Sequence, residues 1–262
     1  MTLDTDRALA AHRRILDTAA AMPGQIDIGQ EPVGHWVPLA LFSRLLHLGE
    51  AIQRLVGQGF GDASEPPARA MVSASISIVA IIDGDSDGRA LAFLAETIKV
   101  RGKRLRALVE HGLMDQAAAD AHEAAAVAND QAVLSEYATK GVVPTKLGSG
   151  PTWHGLTDHD LFDKMNAASW YDLFYAPFSD EAHANAAAIG PEITALRNGG
   201  GIETGPRDGD HIVVLLGSVQ TICQALRQLD GQRGWGKRDD IDQMFQWARA
   251  ELEAAAGIGA GG

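Results

Sequence analysis

Cysteine is nearly absent. The chain of 262 residues has one, Cys223. A lone thiol builds neither an internal disulfide framework nor a multi-cysteine zinc site. Basic charge is also short: 22 Lys and Arg stand against 34 Asp and Glu, a formal balance of −12. A globally basic nucleic-acid binder is therefore not expected, because phosphate contacts need clustered cations. Aromatics make up 6% of the chain, and no long alternation of β-branched and aromatic residues marks out strands. No apolar run of about 20 residues is seen, so neither a transmembrane helix nor a membrane partner is expected. Met1 to Arg7 is acidic with no apolar stretch behind it, which reads against a secretory leader. The expectation is a soluble cytoplasmic protein.

Several chemical signatures are missing as well. Gly199-Gly200-Gly201 has no Lys-Ser or Lys-Thr behind it and no strand before it, so it is neither a P-loop nor a dinucleotide fingerprint. It reads as a loop. No Gly-x-Ser-x-Gly elbow is present, and no Glu-x-x-His or His-Glu-x-x-His pair. His154 and His159 with Asp158 and Asp160 form the densest His/Asp cluster. The two acids read better as first-turn residues of a helix, where negative charge is favourable. No metal and no cofactor is expected.

What is present is helical periodicity, rich in Ala. A first helix is predicted over 6–22, capped by Asp4 or Thr5 and stopped by Pro23-Gly24. Leu41, Leu45, Leu48, Ile52 and Leu55 predict a second over 39–57. Pro66-Pro67 opens a third, with Met71, Val72, Ile76, Val79 and Ile82 on its apolar face. A fourth runs over 87–111, and a fifth, Ala-rich and only weakly apolar, over 115–140. Thr157 with Asp160 resembles a capping box and starts a broken helix through Trp170, Phe174 and Phe178. Core helices follow over 210–230 and 239–256. The fold class is therefore all-α: a single-domain antiparallel helical bundle with long Gly-rich loops. Residues 1–36 are expected as a peripheral N-terminal helix and loop, 37–256 as the bundle and 257–262 as a disordered tail.

Three features carry candidate chemistry. Lys99, Arg101, Lys103, Arg104 and Arg106 place five cations in eight residues of an acidic chain. They could grip phosphates, or form a solvated helix face paired with the excess acids. Arg106 and His111 have the Arg-x4-His spacing of HEPN ribonucleases, where such residues act on the scissile phosphate. His111 before Gly112 could equally be a C-terminal helix cation ahead of a capping glycine. Trp170, Tyr171, Phe174, Tyr175 and Phe178 follow the helical period as a core stripe. Ser179 behind them would cap the next helix. His183 has no such plain role and would line a pocket.

The order of these features resembles the DUF5677 family of bacterial helical proteins of unknown function. The helix Leu41 to Gly57 leads to Gly59-Phe60-Gly61, then to Pro67-Ala68-Arg69-Ala70-Met71-Val72 and Arg89. The Trp-Tyr helix then ends in Phe178-Ser179-Asp180-Glu181-Ala182-His183. The resemblance spans Val37 to Asp230. It implies a helical fold akin to HEPN-like and abortive-infection proteins, with Arg69, Ser179 and His183 as matched positions.

Three functions follow as expectations. The first is a helical binding protein, defence- or stress-associated, with a homo-oligomer or a protein as partner. The second is a HEPN-like metal-independent ribonuclease using Arg106 with His111, or Arg69 with His183, and Lys99 and Lys103 as a phosphate track. RNA is a partner that the net charge disfavours. The third is a small-molecule or metal-dependent enzyme whose pocket is lined by Trp170, Tyr171, Tyr175 and His183.

Overall fold

A computed structural model describes residues 4–23, 31–139, 154, 156–175 and 211–257. The described residues form an all-α bundle. Its helices are α1 (Thr5–Ala21), α2 (Val33–Gly57), α3 (Glu65–Ile82), α4 (Ser86–Glu110), α5 (Gln116–Thr139), α6 (Asp158–Lys164), α7 (His211–Arg233) and α8 (Arg238–Ala255). Behind α6 come one helical turn, Ala168–Trp170, and a π turn, Tyr171–Tyr175.

Local chemistry sets the helix starts. Asp4 caps α1 by accepting from the Arg7 amide at 3.0 Å, and Asp85 caps α4 through the Gly88 amide at 3.0 Å. Thr157 caps α6 from both sides: its hydroxyl accepts from the Asp160 amide at 3.2 Å and donates to the Asp160 carboxylate at 2.7 Å. That hydroxyl bond holds the Asp160 carboxyl below its ordinary range.

The main core joins α1, α2, α3, α7 and α8, with Ile15, Leu45, Ile52, Met71, Leu215, Ile222 and Leu226 fully buried. The N-terminal helix, expected at the periphery, is part of this core: Ala8, Ile15 and Ala19 are sealed between α2, α7 and α8. Its small alanines let the neighbouring backbones approach closely. The Asp4 amide also donates to the Ala255 carbonyl at 3.0 Å, tying the start of α1 to the end of α8. A second cluster packs Val33, Val37 and Ile81 against Ala90 and Leu91 of α4. Beyond it, α4 runs out with α5 packed along it.

Helix α2 begins before Pro38, although a proline inside a helix removes one amide donor and orphans the carbonyl four residues back. That carbonyl belongs to Gly34, and it accepts from the Gln232 side-chain amide of α7 at 3.0 Å. The donor lost to proline is thus replaced from another helix. The Gly34 amide in turn donates to the Asp87 carboxylate at 2.7 Å. A Cβ at Gly34 would stand 2.5 Å from Ser86 Oγ and 2.6 Å from its backbone carbon, so only glycine admits this approach of α4. Arg233 clasps Glu31 at 2.6 and 2.7 Å, completing the junction of α2, α4 and α7.

A buried histidine sits inside the main core. His12 is fully buried between the Gln53 Oε1 atom and the Ser218 hydroxyl, each at 2.7 Å. The Gln53 amide nitrogen donates to the Leu9 carbonyl at 3.1 Å, which turns its oxygen toward the ring. Nδ1 of His12 must then carry the proton, and Nε2 accepts from Ser218. Burial pushes His12 down to about 4, so the ring is neutral.

By length and composition, the helices at 62–82 and His211–Arg233 are apolar enough to cross a membrane. Within the bundle, 50% and 61% of those stretches are buried against neighbouring helices.

Candidate functional site

Residues 156–175 pack on α3. Val72, Ile76 and Ala80 of α3 meet Leu161 and Phe162 of α6 and Tyr175 of the π turn in a third apolar cluster. Helix α6 ends at Lys164 with Met165 as its cap; Asn166 then takes the left-handed conformation (φ 53°), while the Ala167 amide reaches back to the Phe162 carbonyl at 2.8 Å. This reversal sends the chain into the π turn. Such turns are rare and frequent at functional sites.

Tyr175 is the centre of the arrangement. Its hydroxyl accepts from Arg69 Nη2 at 3.2 Å and donates to Asp158 Oδ2 at 2.5 Å. The Arg69 guanidinium carbon lies 4.9 Å from the centre of the same ring. Burial, and the bond donated to Asp158, push the Tyr175 hydroxyl above its ordinary value, with Arg69 opposing. The phenol is thus neutral and fixed as a donor. Tyr171 stacks on Tyr175 with ring centres 5.3 Å apart, Phe162 tilts against both, and His159 meets Tyr171 edge-on at 5.1 Å. His154 accepts from the Leu156 amide at its Nδ1 atom (3.3 Å), and burial lowers its pKa.

A cleft of about 210 Å³ opens next to this cluster, between α3, α7 and the Met165–Trp170 turn. Asn166, Gln220 and Gln224 present neutral polar groups to it, with Trp170 and Met165 among its apolar walls; Ser75 lies behind them, its buried hydroxyl donating to the Thr221 carbonyl.

Of the residues singled out by sequence, the structure brings Arg69, Trp170, Tyr171 and Tyr175 to one corner. Ser179 and His183 lie outside the described residues. Lys99 stands on α4, and Lys103, Arg106 and His111 are exposed toward its far end. His111 terminates α4: its amide donates to the Ala107 carbonyl at 3.0 Å, Gly112 follows at φ 66°, and the Leu113 amide returns to Leu108 at 2.9 Å. This is the capping geometry that a glycine behind the helix allows. No hydrogen bond or ring contact joins Lys103, Arg106 or His111 to the Arg69 corner among the described residues. Also among the described residues, no group of three or more His, Cys, Asp or Glu is placed to hold a metal ion.

Sequence reasoning read Asp158 as a helix-capping acid. Both Asp158 and Asp160 do stand in the first turn of α6, behind the Thr157 cap; what the sequence did not show is that Asp158 also accepts from the Tyr175 hydroxyl. Of the cleft residues the sequence reading held Trp170, while Asn166, Gln220 and Gln224 were missed. Their one sequence signal is a row of glutamines four apart on α7, Gln220, Gln224, Gln228 and Gln232, of which the first two line the cleft.

The chain matches the model of DUF5677, a family of unknown function, over residues 35–200, more than half of its length. No curated protein and no solved structure matches it.

Proposed function

The chain belongs to the DUF5677 family, and from that premise we propose that it is a helical binding protein whose ligand is a small molecule held at the corner of α3, α6 and the π turn. One observation carries this reading. A guanidinium, a phenol and a carboxylate from three separate elements converge on the Tyr175 hydroxyl beside a cleft with neutral polar walls. Small-molecule sites combine apolar and aromatic walls with a few fixed polar groups in this way. The Arg69–Tyr175–Asp158 chain holds the aromatic wall in place, and the cleft supplies the room. In this reading Arg69 and Tyr175 are positioning residues and Trp170 touches the ligand.

Ligand-observed NMR with a fragment library tests the proposal on the wild type and on Trp170→Leu. The reading expects fragments whose signals vanish in Trp170→Leu and persist in Lys103→Ala, whose exposed side chain lies on α4. A library in which no fragment depends on Trp170 refutes it.

A further inference from the structure

We infer that the cleft between α3, α7 and the Met165–Trp170 turn takes a neutral, planar nitrogen heterocycle of the size of a free nucleobase. The inference rests on the small-molecule reading above and adds the class of ligand.

The charge of the ligand follows from what lines the cleft. Among the described residues the polar groups open to it are three carboxamides, Asn166, Gln220 and Gln224, with no ionisable side chain beside them; the Ser75 hydroxyl behind them is buried and donates to the Thr221 carbonyl. A phosphate or carboxylate there would lose part of its water without meeting a cation among the described residues, which disfavours it. A neutral molecule loses far less.

Its shape follows from the walls. Trp170 offers an aromatic face and Met165 a polarisable thioether, both suited to a flat ring. The volume of about 210 Å³ is the room of roughly seven waters at about 30 Å³ each. That admits one or two fused rings. It is below the roughly 300–1,000 Å³ of sites for drug-sized ligands.

The edge of the ligand follows from the amides. A carboxamide holds a donor and an acceptor in one plane, the pattern that pairs with the N–H and ring-nitrogen edge of a base. Gln220 and Gln224 sit one turn apart on α7 and face the same side. Asn166 faces them from just past the end of α6, its backbone set by the left-handed turn. These three side chains make no hydrogen bond to another described residue, so their bonding capacity is open to a ligand.

Isothermal titration of the full chain with adenine, uracil and nicotinamide, beside AMP and benzoate, tests this. At least one of the three neutral heterocycles is expected to bind, and the two anions not. Gln224→Leu is expected to weaken that binding about tenfold, and Trp170→Leu at least as much. Gln224 is only partly buried, so the variant should fold, and an unchanged circular-dichroism melt confirms it. Should either variant fail to fold, Gln220→Glu, which adds a negative charge to the wall, provides the same readout by excluding the ligand's acceptor edge. Failure of all three heterocycles to bind, preferential binding of the anions, or binding unmoved by every folded variant overturns the inference. Trp170-dependent fragments of another class, found alongside such a failure, would leave the small-molecule reading standing. Their absence would remove both.

Discussion

Lowering the pH should destabilise this protein through His12 before its carboxylates are protonated. The ring is fully buried, bonded at both nitrogens, and held down to about 4 by burial. In the unfolded chain it titrates near its ordinary 6.5. The folded value is the lower one, so the unfolded state binds the proton first. Stability is intact above pH 6.5 and falls as pH drops from there toward 4. For one site with these two values the loss is about 2 kcal/mol at pH 5 and about 3 kcal/mol at pH 4. In a chain of this size 2 kcal/mol corresponds to a drop of about 4–8 °C in Tm. The assay is urea unfolding at pH 7.5 and pH 5.0 for the wild type and for His12→Leu. The variant loses two buried hydrogen bonds and should be less stable at pH 7.5, but it has no ring to titrate. All other groups titrate alike in both proteins, so the difference between the two pH slopes belongs to His12. Parallel slopes would refute the assignment of a neutral, buried ring.

Other consequences are equally open to measurement. Gln232→Leu leaves the Gly34 carbonyl without the donor that replaces the one lost to Pro38, and should cost about 1–3 kcal/mol in urea unfolding. Adding Pro38→Ala restores a backbone donor, so the double variant should recover part of that loss, and a strictly additive pair would contradict the repair. Cys223 is fully buried and its thiol is pushed up to about 12, so Ellman's reagent should label the native protein only at the rate of unfolding. Fast labelling in native buffer would show that α7 is not sealed. Tyr175→Phe removes the hydroxyl shared by Arg69 and Asp158 and should cost about 1 kcal/mol in stability. It should also weaken any Trp170-dependent fragment. Unchanged stability and binding would remove Tyr175 as the organising residue.

Much of the bundle was legible because its helices are amphipathic and punctuated. The stop at Pro23, the Pro66-Pro67 start of α3, the Thr157 cap and the Gly112 terminus are all local chemistry, and each matches the structure within a few residues. The start of α2 was misplaced by several residues, since Pro38 reads locally as a boundary. The side chain that makes it tolerable, Gln232, lies 198 residues from Gly34. The central place of α1 was hidden for a similar reason. A short stripe of alanines with one histidine looks peripheral until Gln53 and Ser218 are seen to satisfy that histidine.

The candidate site was half legible. Arg69, Trp170, Tyr171 and Tyr175 stood out by residue type and by resemblance. Their assembly depends on a contact across 106 residues and on the reversal at Asn166, which no periodicity encodes. The neutral cleft was not legible at all. Glutamines on a buried helix carry no motif, and only packing shows that they face the Met165–Trp170 turn, which belongs to an earlier element of the chain.

The most direct test of the ligand site is methyl NMR on the protein labelled at its methionines, titrated with Trp170-dependent fragments. Met165 lines the cleft, while Met22 and Met244 pack against the main core. The account predicts that the Met165 methyl shifts with ligand concentration while those of Met22 and Met244 stay in place. Shifts confined to Met22 or Met244, or none at Met165 at saturating ligand, would contradict it.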